Sequence, residues 1–228
     1  MAKVKLLDWG LRDYEESWKE QEALFEGIIA TKMEQVCAPL ATQDYLIFVE
    51  HPHVYTLGKS GQEANLLLNT LQLQAKNAQF VHTDRGGDIT YHGPGQLVAY
   101  PILNLENFGI GLREYITKLE DTVIRTIAHY GLKGERAPGA AGVWLDVGTT
   151  RERKICAIGV KSSRYVTMHG FALNINTDLQ YFNYINPCGF TDKGVTSMQE
   201  ELAKPVSIET LKQQYRLAFE QVFGVVLV

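Results

Sequence analysis

The stretch DRGGDITYHGPGQ, residues 84–96, gathers four glycines, two aspartates, an arginine and a histidine in thirteen positions. Glycine at that density lets backbone approach a bound group closely. That group is a phosphate, a metal, or an uncharged chain carrying a carbonyl, and the phosphate fails first. GPGQLV has Val98 where a dinucleotide fingerprint needs its third glycine, and a strand rather than a helix is expected to follow. LGKS ends like a P-loop, but His53 occupies the place of that motif's first glycine, so Lys59 reads as a surface charge on a turn. A metal fares little better. His51, His53, His82 and His92, with Asp84 and Asp88 nearby, offer no third ligand at recognisable spacing, so no metal is expected. A cradle for a carbonyl remains, with the amides around Gly86, Gly87, Gly93 and Gly95 turned toward it. Tyr91 and His92 would stand at the mouth of a hairpin, and Arg85 would fix an anionic part of a substrate or pin the loop.

The cysteines supply a candidate nucleophile. Cys37 follows a helix end and reads as filler, while Cys156, inside KICAIGV, reads as a small buried hydrophobe. Cys188 lies in NPCG, between proline and glycine, where a bend can hold a thiol exposed. An ordinary thiol is only a few per cent ionised at neutral pH, so such a cysteine needs a helper. From sequence alone His169 and Lys154 both qualify: the first is the nearest histidine, the second an ammonium at the start of an apolar strand.

These residues need elements to hold them. KVKLLDW reads as a first strand. Asp13 with Glu16 caps a helix whose apolar side carries Tyr14, Trp18, Phe25 and Ile28. YLIFVEH and VYTLG read as neighbouring strands, and QFVHT and DITYHGPGQLVAYPILNL as strands framing the glycine loop. A helix from about Leu112 to Tyr130 follows, then strands GVWLDV, KICAIGV and HGFALNIN, then a helix capped by Ser207 and stopped at Gly224. These elements predict an α+β fold, one domain over residues 1–228, with a mostly antiparallel or mixed sheet flanked by helices. A formal charge of −4 argues against nucleic-acid partners. Scattered cysteines, no secretory signal and no long apolar run point to a cytoplasmic protein without a membrane span.

RGGDITYHGPGQLVAYPILNL, together with EHPHVYTLGKSG, ANLL, GVWL, RKICAIGVK, HGFALNIN, NPCG and VTSM in that order, resembles the lipoyl(octanoyl) transferases, the LipB family. The resemblance implies the fold of the biotin/lipoate-protein ligase catalytic domain and an acyltransferase without cofactor, acting in the first step of protein lipoylation. The donor would be octanoyl-acyl carrier protein. The acceptor would be a lysine of the lipoyl domains of 2-oxoacid dehydrogenase E2 subunits and of the glycine cleavage H protein. The resemblance places the acyl-thioester on Cys188 and its tuning lysine on Lys154. It places substrate contacts on Arg85, Gly86, Gly87, Asp88, Ile89, Thr90, Tyr91 and His92, on Ala157, Ile158 and Gly159, and on Gly170, Phe171 and Ala172. His169 then orders the pocket wall, and Cys156, two residues from Lys154, would share its strand face and could be a second thiol near the site. The basic residues Arg151, Arg153, Lys154, Lys161 and Arg164, against Glu152, would either steer an acidic carrier or lie solvated on a hairpin turn. The alternatives are an ATP-dependent lipoate- or biotin-protein ligase on the same fold, and a catalytically silent carrier-binding protein.

Overall fold

The computed structural model describes residues 2–34, 42–186 and 194–228. Cys37 and Cys188 lie outside them. Strand β1 (Ala2–Leu11) leads into helix α1 (Tyr14–Met33), which begins where the Asp13 carboxylate accepts the Glu16 amide. Strand β2 (Asp44–Glu50) runs parallel to β1 and antiparallel to β6 (Gln96–Ile102). β6 pairs with β10 (Val166–Asn174), which pairs with β9 (Arg153–Ser163), followed by β8 (Ala140–Leu145) and β7 (Glu135–Ala137). The last strand, β12 (Val225–Leu227), closes the far edge against β1. The main sheet is thus mixed, parallel at its β12–β1–β2 edge and antiparallel from β2 through β6, β10, β9 and β8 to β7.

Both faces of this sheet are covered, which is why every residue of QLVAYPI in β6 is buried. Helices α3 (Leu112–Ala128) and α5 (Ile208–Phe223) press Leu119, Val123, Ile127, Tyr215 and Phe219 onto one face. α1 presses Phe25, Ile28 and Ile29 onto Ile47, Val98, Tyr100 and Met168 on the other. Short helices α2 (Thr70–Ala75) and α4 (Met198–Leu202) complete the set.

VYTL does not neighbour YLIFVE. As β3 (Val54–Leu57) it centres a separate small sheet between β4 (Gln79–His82, parallel) and β5 (Ile89–His92, antiparallel). The expected hairpin at GPG fails for the same reason. β5 belongs to the small sheet and β6 to the main one, so Gly93–Gly95 carries the chain between sheets. Gly95 is held there at φ +80°, where a side chain would strike the Asn176 carbonyl. The loop between β4 and β5 instead folds over the end of β3: Gly58, Lys59 and Ser60 donate to the carbonyls of Asp88, Arg85 and Gly87.

Candidate functional site

The small sheet and its glycine loop lie against β9 and β10, and the space between them is a cavity of about 470 Å³, within the ~300–1,000 Å³ typical of small-molecule sites. Of the residues expected to contact substrate, Arg85–Thr90, His92, Ala157–Gly159 and Gly170–Ala172 line it, and Lys154 does too. Tyr91 does not. Alternation along β5 turns it away from the main sheet, to bond His53 at 2.7 Å and stack on Tyr181.

Arg85 is buried and pins the loop: its guanidinium donates to the Thr56 carbonyl (2.6 Å), the Thr56 hydroxyl (2.9 Å) and the Asp88 carbonyl (2.8 Å). Asp88 caps the same turn, accepting from the Ile89 amide and from Asn65. Asp84 joins the loop to the main sheet, accepting from His169 Nε2 (2.7 Å) and Lys161 Nζ (2.6 Å). The His169 bond, helped by Lys161, holds the Asp84 carboxyl well below the usual carboxylate range. Burial keeps His169 itself neutral against the pull of Asp84. Its backbone sits at φ +58° in the middle of β10, a strained conformation for a non-glycine residue. Burial likewise brings His92 down to about 3. Its Nδ1–H therefore donates to Gln96 Oε1 (2.8 Å), and Gln96 passes the chain on to Asn174 (2.9 Å).

The glycines divide by role. Gly87 needs its positive φ of +92°. Gly159 and Gly170 leave room for backbone instead of ligand: a Cβ on the first would lie 2.8 Å from the Gly86 carbonyl, and on the second 2.1 Å from the Ala99 carbonyl. The AIG segment is regular strand, as KICAIGV reads, and pairs with β10.

Lys154 owes its placement to a β-bulge. Val143 pairs with Cys156 but Trp144 pairs with Lys154, so Ile155 is extra and the two-residue alternation breaks. Lys154 faces the cavity with Trp144. Cys156 faces the core beneath α3 and α5, fully buried, and that burial pushes its thiol far up. Cys156 therefore does not share the face of Lys154. On the other side of Lys154, strand β11 (Gly194–Val195) pairs in parallel, Val195 opposite Lys154, and Thr196 N donates to the Lys154 carbonyl at 2.9 Å. Ile185, Gly194 and Val195 all line the cavity.

The basic stretch from Arg151 to Arg164 does not form one patch. Arg153 is engaged by both Glu201 oxygens and by Asp146, Lys161 is bound to Asp84, and the remaining charges lie at opposite ends of a long strand. Sequence reasoning missed Tyr14, Gln96, Asn174 and Trp144 as lining residues. Gln96 and Asn174 had a legible signal, an amide at the end of each of two long strands, β6 and β10, where the two residues pair.

Solved structures of lipoate–protein ligases share this fold, a covered mixed sheet with a cavity under a glycine loop. A bi-partite lipoate protein ligase from Thermoplasma acidophilum superposes with TM-score 0.73 over 100% of this chain and 86% of its own, at 14% identity. A lipoate-protein ligase A bound with ATP gives 0.66 over 100% and 87%, also at 14%. Residues 13–220 match the family model of the lipoyl protein ligase A/B catalytic domain. The octanoyltransferase of Bacteroides thetaiotaomicron is 56% identical over 212 residues, 93% of this chain and 92% of that protein. The octanoyltransferase of Christiangramia forsetii is 51% identical over 223 residues, 96% and 95%. The chain belongs to the lipoyl(octanoyl) transferase family of acyltransferases. Among the described residues, no helix is long and apolar enough to cross a membrane.

Proposed function

We propose that this enzyme transfers an octanoyl (or lipoyl) group from acyl carrier protein to a specific lysine of a lipoyl domain, through a thioester on Cys188. The observation that carries the reading is the cavity, mostly apolar, with Lys154 in its wall. The chain on either side of the segment bearing Cys188 also lines it: Ile185 stands three residues before the cysteine, and Val195 is in register with Lys154. The relatives named octanoyltransferase supply the acyl chain. Burying seven apolar carbons of an octanoyl tail contributes at most about 6 kcal/mol to binding.

The Cys188 thiolate, paired with the Lys154 ammonium, attacks the donor carbonyl. Backbone amides of the glycine loop stabilise the oxyanion. The carbon–sulfur bond to the carrier breaks, its thiol leaves with a proton from Lys154, and the acyl group stays on Cys188. The acceptor lysine attacks as the neutral amine, its ammonium proton already released to solvent, and as its nitrogen bonds the carbonyl it gives a second proton to Lys154, now an amine. The new amide forms as the Cys188 thiolate departs. Thioester to amide runs downhill, so the cycle needs neither ATP nor a cofactor. Acceptors on this reading are the lipoyl domains of E2 subunits and the H protein, and the setting is the reducing cytoplasm, where the thiol stays free.

The test is intact mass spectrometry after mixing with octanoyl-carrier protein. One hydroxylamine-labile octanoyl adduct, mapped to the NPCG peptide and absent from Cys188→Ser, is expected. Turnover of free octanoate with ATP that survives Cys188→Ser would replace the reading with a ligase.

A further inference from the structure

The Lys154 ammonium lies 4.5 Å from the centroid of the Trp144 ring. The two residues stand directly opposite each other on antiparallel strands, a pairing that the bulge at Ile155 creates and that puts both side chains on one face. Trp144 is 2% exposed, and its indole N–H donates to the Ala140 carbonyl at 3.3 Å, so the ring has one orientation. Neighbouring Gly142, at φ +125°, lets the bulged strands approach closely: a Cβ there would lie 2.4 Å from the Cys156 carbonyl, and it would meet Lys154 Cε only at ordinary contact distance, 3.6 Å. The buried Glu120 carboxylate accepts the Gly142 amide at 3.0 Å and fixes that segment to α3. Bulge, glycine and indole together form a built seat for one ammonium, lined by an aromatic face.

We propose that Trp144 is a positioning residue for acyl transfer, its indole face holding Lys154 as the ammonium in the resting enzyme and setting the pH at which the neutral amine becomes available to the acceptor. This rests on the reading of Lys154 as the proton carrier. A ring quadrupole attracts an ammonium and not an amine, most strongly for tryptophan and in a desolvated site. The seat therefore favours the charged form that pairs with a thiolate in the first half-reaction. Once Lys154 has protonated the leaving thiol, the amine loses that attraction and can turn to the incoming lysine. When it takes the acceptor's proton, it returns to the ring.

The experiment places mono-, di- and tetrafluorotryptophan at position 144 alone, which weakens the face potential with little change in shape. Pre-formed octanoyl-enzyme is mixed with a lipoyl domain, and single-turnover deacylation is followed against pH. Because the ring favours the ammonium, weakening it moves the rising limb to lower pH, in step with fluorine number. From native tryptophan to Trp144→Leu the limb moves by about 0.5–1.5 pH units, a ~3- to 30-fold faster deacylation below the limb, with Trp144→Phe between. A limb at the same pH throughout the fluorinated series overturns the inference, whether or not Trp144→Leu folds. Lys154→Ala separates the two layers of argument. Wild-type turnover by that variant would remove Lys154 itself, whereas an inactive Lys154→Ala beside an unshifted series would remove only Trp144.

Discussion

Gly159→Ala tests whether the glycine loop is seated on β9 as firmly as the geometry requires. Gly159 is an ordinary strand residue paired with Gly170, so alanine meets no torsional penalty there. The obstacle is contact: the new methyl would sit 2.8 Å from the Gly86 carbonyl and 3.2 Å from Arg85 Cδ, where 3.4 Å begins ordinary contact. The loop has to recede by at least about 0.6 Å, and the Gly86 amide, which donates to the Val160 carbonyl at 2.9 Å, is drawn off its partner. Overpacking of this kind costs about 1–3 kcal/mol and the weakened hydrogen bond about 1 kcal/mol. A total of about 2–4 kcal/mol lowers Tm by roughly 5–15 °C in a chain of this size. If the loop amides meet the reacting carbonyl, a displacement approaching 1 Å slows acylation by about 100-fold. Circular dichroism reads the first quantity and single-turnover acylation the second. Unchanged Tm and unchanged acylation would refute the seating altogether. A lowered Tm with native acylation would refute the role of the loop amides.

Gly27→Ala is the matching control: the site lies within α1 with nothing within 4 Å of an added Cβ, so stability rises by about 0.5–1 kcal/mol, visible as a higher urea midpoint. His51 is held neutral by burial, down to about 4, donating to the Arg12 carbonyl and accepting from Tyr100. With its folded pKa depressed below 6.5, its contribution is complete above pH 6.5 and lost as pH falls toward 4, by up to about 3 kcal/mol. His51→Gln should remove that slope from urea midpoints measured between those pH values. Asp84→Asn should raise amide hydrogen exchange across residues 85–88 at neutral pH. Since its folded pKa is depressed, the wild type should show the same loosening only well into the acid range. Equal exchange in both proteins at neutral pH would remove Asp84 as the link between loop and sheet.

Hydrophobic period located α1, α3 and α5 and the long strands, because helix and strand faces buried against a two-sided sheet leave clear stripes in the residues. Pairing was less legible. VYTL and YLIFVE are close in sequence and alike in composition, and nothing in either says that one leaves the main sheet for the small one. β7, β11 and β12, two or three residues each, carry too little pattern to register, and β11 has meaning only through its partner β9.

At the site, residue type was informative where chemistry demanded it and misleading where packing used the same type. Gly87 needs the torsion that glycine permits, whereas Gly159 and Gly170 are glycine because backbone crosses above them. The relation of Lys154 to Cys156 shows the limit most sharply. Two residues apart on a strand means one shared face, and that inference is sound for a regular ladder. A single extra residue, Ile155, reverses it. It sends the thiol into the core and the ammonium to the indole, and no periodicity in RKICAIGVK marks the step. The pairing partner decides it, since Trp144 and Val143 take Lys154 and Cys156 to opposite sides of the sheet. The bulge thus separates Lys154 from a thiol that a regular ladder would set beside it, and turns an ordinary strand opening into a seat for an ammonium over an indole.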